Sequence, residues 1–85
     1  MTSSTTRWSV EIFLSETDGH SHAEARLVSG AGKSLTATGT ATLSERDPVD
    51  VPEIGYELAA ARALQTLADT LLRTATDDIE AVAGP

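Results

Sequence analysis

Two histidines separated by one residue are the side chains best suited to bind a metal ion in this sequence. In an extended chain, His20 and His22 project to one side, and Glu24 follows on that side. Imidazole and carboxylate groups can ligate a transition metal. A metal site normally needs three or four converging ligands, however. The favoured interpretation is a pair of polar residues beside a turn on a solvent-facing strand, so no metal site is predicted.

Two further motifs have local explanations. The acidic series Asp47, Asp50 and Glu53 lacks the loop pattern of a calcium-binding hand. Asp50 and Glu53 have the spacing of a capping box, with Pro52 in the first turn, and are predicted to cap a helix N-terminus. The glycine-containing segment 30–34 has the wrong spacing for a phosphate-binding loop and is predicted to be a hairpin turn.

No set of residues supports catalysis. The chain has no cysteine, and none of its serines lies in a Gly-x-Ser-x-Gly elbow. A third function class, a small enzyme or ligand carrier, would need a deep pocket lined by His20, His22 and Glu24. We therefore expect a protein without enzymatic activity, without a cofactor and without a bound metal.

Length and charge narrow the function further. The 85 residues include 6 Lys and Arg against 13 Asp and Glu, which gives a formal charge of −7. A chain of this length forms one small domain. Its negative charge disfavours nucleic-acid binding, which rests on lysine and arginine at phosphates. The first residues lack the charged and apolar regions of a signal peptide, and no apolar run is long enough to cross a bilayer. A cytoplasmic protein with no membrane contact is expected.

Alternating apolar residues predict three strands, at 7–14, 21–29 and 34–42. Trp8, Val10, Ile12 and Leu14 are predicted to form one buried face of the first strand. The inward residues of the other two strands are predicted to be Ala23, Ala25, Leu27, Leu35, Ala37, Gly39 and Ala41. Short turns between the strands make an antiparallel meander. Gly39 is expected to permit close approach of another element, or to form a bulge.

The remainder is predicted to be one long helix, roughly over residues 51–74. Apolar residues at helical spacing form a single stripe, namely Ile54, Leu58, Ala61, Leu64, Ala68, Leu71, Leu72 and Ala75. Gly55 is expected to pack closely against Trp8. The predicted fold is α+β, a three-stranded antiparallel meander packed on one C-terminal helix. The single domain covers 7–80, with a disordered tail at 1–6 and a frayed end at 81–85.

The predicted helix is longer than the predicted strands. About 24 residues of helix span ~36 Å, whereas strands of about eight residues span ~26 Å. Because the helix overhangs its sheet and the core is small, a homodimer is expected. Alternatively, the overhang frays or the loop at 43–49 folds beneath it. The candidate interface residues are Phe13, Val28, Leu71, Leu72 and Ile79; Phe13 and Val28 interrupt an outer sheet face that is otherwise expected to be solvated.

The helix sequence from Val51 to Ala68, followed by Leu71 and Leu72, resembles a small actinobacterial family of unknown function. Alternating residues at 8–12, 23–27 and 39–41 fit the same pattern. The resemblance covers about residues 7–80. It implies a β-β-β-α fold like that of the double-stranded-RNA-binding domain, usually dimeric and without known enzymatic activity. It also implies a link to stress or dormancy and a likeness to ribosome-hibernation factors.

Two departures weaken the RNA-binding alternative. Double-stranded-RNA binders carry lysines at the start of their last helix, where this sequence has the acidic segment 50–53. A basic residue often follows the third strand in the family, where Thr42 stands here. The sequence thus favours a non-enzymatic homodimeric interaction module with an unidentified protein partner. A ribosome- or RNA-associated protein is the alternative.

Overall fold

In the part of the chain that the structure describes, three antiparallel strands and one long helix form the domain. The structure is a computed structural model that describes residues 2–30, 32–42 and 52–84. Strand β1 covers Ser9–Thr17, β2 covers His20–Val28, β3 covers Ser34–Thr42, and helix α1 covers Pro52–Ala83. The strand order in the sheet is β1-β2-β3. The predicted α+β fold, a meander packed on a C-terminal helix, is confirmed.

A two-residue turn sets the register of β1 against β2. Asp18 and Gly19 both have positive φ, 50° and 78°, as the favoured two-residue hairpin turn requires. The Gly19 N–H also donates a hydrogen bond of 3.2 Å to the Glu16 carboxylate. Thr17 consequently pairs with His20, and the register continues to Ser9 opposite Val28.

Small side chains line the sheet face that contacts the helix. Cross-strand partners lie on the same face of a sheet, and Ala25 is paired both with Ile12 of β1 and with Ala37 of β3. The buried sheet residues are Ser21, Ala23, Ala25, Leu27, Ala37, Gly39 and Ala41. The predicted inward faces of the second and third strands are confirmed, with Leu35 partly buried against the core.

The helix presents its small residues to this face. Ala59 and Ala63 are fully buried, and Leu67 is 3% exposed. A Cβ at Gly39 would overlap backbone atoms of Ala59 and Ala63. The absence of a side chain at Gly39 therefore lets the helix backbone lie directly on β3, and the prediction of close approach at this residue is confirmed.

The predicted orientation of the helix was wrong. Ile54, Leu58, Leu64 and Leu72 were expected to share a single apolar stripe, yet they are 45%, 41%, 41% and 69% exposed. The residues turned to the sheet are instead Gly55, Ala59, Ala63 and Leu67. At so short a distance between helix and strand, leucines cannot be accommodated beneath the first half of the helix.

The helix also extends further than the predicted 51–74, because α1 includes residues 75–83. Glu53 lies in its first turn, where a carboxylate is favoured by the helix dipole. Asp50 and the loop at 43–49, predicted as a cap and as a possible cover for the overhang, lie outside the described residues.

Gly55 packs against a different residue from the one predicted. A Cβ at Gly55 would overlap the side chain of Ser21, so its neighbour is Ser21 of β2 and not Trp8. Both glycines thus lie where the helix contacts the sheet. Gly55 of the helix contacts β2, and Gly39 of β3 contacts the helix at Ala59 and Ala63.

Replacing Gly39 with alanine should lower stability by about 3 kcal/mol, because its methyl group meets backbone that can move only if the whole helix shifts. At ~4–8 °C per kcal/mol for a domain of this size, thermal unfolding should occur at least ten degrees lower. Gly30→Ala is the matched control, since its Cβ would lie 3.5 Å from the Thr6 hydroxyl, an ordinary contact. Equal melting temperatures for the two variants would contradict the close approach.

Gly55→Leu should also destabilise the protein, although leucine favours a helix over glycine by up to ~1 kcal/mol. The added side chain must displace Ser21, which is 2% exposed. Urea titration followed by circular dichroism measures the change. A variant that is more stable than the parent would show that the helix does not rest on Ser21.

Candidate interaction surface

Strand β1 carries an apolar face that the helix leaves open. Val10, Ile12 and Leu14 pair with the buried residues Leu27, Ala25 and Ala23, so they lie on the core face of the sheet. They are nevertheless 43%, 37% and 44% exposed, and Trp8, just before the strand, is 53% exposed. The prediction that this face is buried was therefore wrong, although the alternation of apolar residues correctly predicts that they share one face of the strand.

The cause is a mismatch in width. A helix with its side chains is about 10 Å across, while three strands spaced ~4.8 Å apart need a wider cover. The contacts of α1 are accordingly concentrated on β3 and β2 rather than on β1. We refer to the exposed residues Trp8, Val10, Ile12 and Leu14 as the β1 floor.

The flank of the helix that borders the β1 floor is apolar. On the other flank, the Arg62 guanidinium donates a 2.7 Å hydrogen bond to the Thr40 carbonyl of β3. Leu64 and Leu71 lie about half a turn around the helix from Arg62, at 100° per residue. Leu71 accordingly lines a groove of about 280 Å³ together with Trp8, Leu27 and Leu35. Trp8 of the β1 floor and Leu71 of this flank therefore lie on two walls of one cleft, whose lining also includes the polar residues Ser29, Lys33, Thr74 and Asp78.

The last part of the helix has no sheet beneath it. Thr74 is the last residue that is not exposed, and Asp78 is the last that lines the groove beside Ser29 and Lys33 of the β2–β3 turn. We call residues 72–83 the overhang. The molecule is correspondingly elongated, with a radius of gyration of 17.1 Å, against ~12 Å for a compact chain of this length. Within the overhang, Leu72, Ile79 and Val82 are 69%, 66% and 90% exposed.

The five predicted interface residues do not form one surface. Leu72 and Ile79 are exposed on the overhang, whereas Leu71 is half-buried against the core. Phe13 and Val28 are 45% and 40% exposed but lie on the opposite face of the sheet, since they pair with Glu24 and Ser9.

On that outer face, Phe13 has a polar neighbour. The Arg26 guanidinium lies 5.2 Å from the centre of the Phe13 ring and 3.7 Å from the Glu24 carboxylate. An arginine stacked on an exposed ring reduces the apolar area offered to a partner. The outer face is thus more polar than its apolar residues alone would indicate.

The two histidines are also on the outer face, where both are exposed. His20 Nδ1 lies 3.1 Å from the Thr42 hydroxyl, and Glu24 is engaged with Arg26. Among residues 2–30, 32–42 and 52–84, no group of three or more His, Cys, Asp or Glu side chains is arranged to hold a metal ion. In the same ranges, no helix has the length and apolar character to cross a membrane.

Comparison with known proteins places the fold in a family. Residues 6–85 match the family model described as Rv2632c-like. Uncharacterized protein Mb1767 of Mycobacterium bovis is 45% identical over 75 residues, which are 88% of this chain and 78% of that protein. Uncharacterized protein Rv2632c of Mycobacterium tuberculosis is 43% identical over 74 residues, covering 85% of this chain and 75% of the relative.

The structural comparison agrees. The crystal structure of Rv2632c superposes with a TM-score of 0.85 at 36% identity, and the match covers 98% of this chain and 96% of that one. These relatives are uncharacterized and assign no activity. With its β-β-β-α fold and a match along nearly its whole length, the chain belongs to the Rv2632c-like family.

Proposed function

We propose that this protein is a non-enzymatic interaction module that works as a homodimer. The observation that carries the proposal is the β1 floor, a run of large apolar side chains left exposed on the face of the sheet that forms the core. Large contiguous apolar patches on soluble proteins mark sites of association. Covering a half-exposed residue of this size gains about 1 kcal/mol.

A second copy of the chain is the partner that this surface supports best. Among residues 2–30, 32–42 and 52–84, the core of a single copy consists mostly of alanines, with Leu27 and Leu67 as its large buried residues. Small cores of this kind are commonly supplemented by oligomerisation. Each copy exposes both a cleft and a projecting apolar helix end, so two copies hold complementary surfaces, and a two-fold dimer satisfies both of them.

The biological setting of the module rests on the family resemblance. We propose a stress- or dormancy-related role, as the resemblance implies, and a location in the cytoplasm, which is the sequence-based expectation. RNA or ribosome association is the weaker alternative, because the chain has only 6 basic residues against 13 acidic ones. One of those basic residues, Arg62, is engaged with the Thr40 carbonyl. Phosphate binding draws on clustered, free cations.

Sedimentation equilibrium of the full chain tests this function. At micromolar concentration we expect twice the 8.9 kDa mass of one copy. Leu72→Asp should weaken pairing at least tenfold, about 1.4 kcal/mol, because a carboxylate would be buried without a partner. Thr66→Asp, which adds the same charge at an exposed position away from the apolar flank, should pair as the parent does.

A monomeric parent at micromolar concentration would refute the proposed function. If both variants pair as well as the parent, the overhang is not part of the interface. The circular dichroism of each variant, recorded in parallel, shows whether the fold has been retained.

A further inference from the structure

The exposed apolar flank of α1 has a pattern of its own. It consists of residues spaced three or four apart along the helix, namely Ala61, Leu64, Ala68, Leu71, Leu72, Ala75, Ile79 and Val82. Apart from the half-buried Leu71, all of these residues are exposed. The apolar positions of the stripe are symmetric about the Leu71–Leu72 bond: position 68 matches 75, both alanine, Leu64 matches Ile79, and Ala61 matches Val82.

Such a palindrome is what an antiparallel pair of identical helices requires. In a two-fold pair centred between Leu71 and Leu72, each residue of the stripe faces its mirror position in the other copy. Ala68 of one copy then contacts Ala75 of the other, and Ala61 of one copy contacts Val82 of the other. We propose, on the basis of the dimer inferred above, that the second copy places its α1 antiparallel to the first, in the cleft above the β1 floor.

This arrangement covers both unpartnered surfaces at once. The overhang spans about 16 Å at 1.5 Å per residue, and the β1 floor spans about 20 Å at 3.3 Å per residue. Side by side and antiparallel, the overhang of one copy lies beside residues 60–71 of the partner helix, over the partner's β1 floor. A parallel pair would instead leave both overhangs projecting beyond both sheets.

Charge also favours the antiparallel direction. The second half of the helix carries Asp69, Asp77, Asp78 and Glu80 against Arg73. A parallel pair would place these two acidic halves together, with the negative ends of both helix dipoles. The antiparallel pair places residues 68–83 of one copy opposite residues 60–75 of the other, so that the acidic groups at 77, 78 and 80 of the two copies lie at opposite ends of the contact.

The contact area is sufficient for a specific dimer. A stripe from residue 61 to residue 82 is about 32 Å long and helices are about 10 Å wide. Each copy also buries its own overhang on the partner, and the partner's overhang covers its β1 floor. The pair therefore buries about 600 Å² per copy, at the lower end of stable specific interfaces.

Engineered cysteines test the direction of the pair, because the natural chain has none. The double variant A68C/A75C should become a covalent dimer on mild oxidation, seen on a non-reducing gel. Neither A68C nor A75C alone should link. Position 68 of one copy faces position 75 of the other, so in a single variant the two identical cysteines lie about 10 Å apart along the helix axis. Linkage within one helix is excluded by the same distance.

The matched control is T66C/R73C, which has the same spacing on the charged side of the helix and should remain unlinked. Linkage of the single variants would show a parallel pair and overturn the inference. Equal linkage of the control would show random collision and overturn it as well. A parent that sediments as a dimer while A68C/A75C stays unlinked refutes this arrangement alone; a monomeric parent refutes the proposed function with it.

The single tryptophan gives a second readout. In the proposed pair, Leu72 of the second copy lies near Trp8, so dilution of the parent through its dissociation range should move tryptophan emission to longer wavelength. The oxidised A68C/A75C dimer should show no such change. Emission from the parent that stays constant while its mass halves would overturn the placement of the partner over the β1 floor.

Discussion

One helix cannot cover three strands, and the rest of this structure follows from that constraint. The helix rests on β2 and β3, where Gly39 and Gly55 let backbone and sheet approach closely. Such close contact is what small side chains need in order to pack against one another, and the described core is mostly alanine. Because the helix is held over two strands, the third is left with its apolar face in contact with solvent.

The same close contact decides which side of the helix faces the sheet. Apolar residues occupy well over half of the helix circumference, so periodicity alone offers two candidate faces, one of large residues and one of small. Large residues bury more area, and the sequence pattern therefore favours them. The observed choice is the small face, at Ala59 and Ala63, because the opposing sheet face is itself small. The periodicity of apolar residues predicts where the helix lies in the sequence, but the sizes of the facing side chains determine which side of the helix contacts the sheet.

The strands, the turns and the α+β class could be predicted from the sequence, because each follows from a local signal. Asp18-Gly19 fixes one hairpin, and alternation around Ala23, Ala25 and Leu27 fixes the inward face of β2. The exposure of the β1 floor could not be predicted from the alternation of apolar residues. Alternation indicates on which face of the sheet a residue lies, but not whether another element covers that face. A comparison of widths, one helix against three strands, was the signal that could have found it.

The inward orientation of the small helix face and the uncovered strand β1 have the same consequence. With the small face of α1 turned inward and β1 uncovered, most of the large apolar side chains in the described residues are exposed, as Trp8, Leu64 and Leu72 are. A helix that is apolar on more than one side is normally buried on more than one side. An open apolar surface beside an edge strand also invites unlimited association. The two-fold pair proposed above would be closed, because each copy would cover the surface that the other exposes, and the net charge of −7 on each copy opposes further growth.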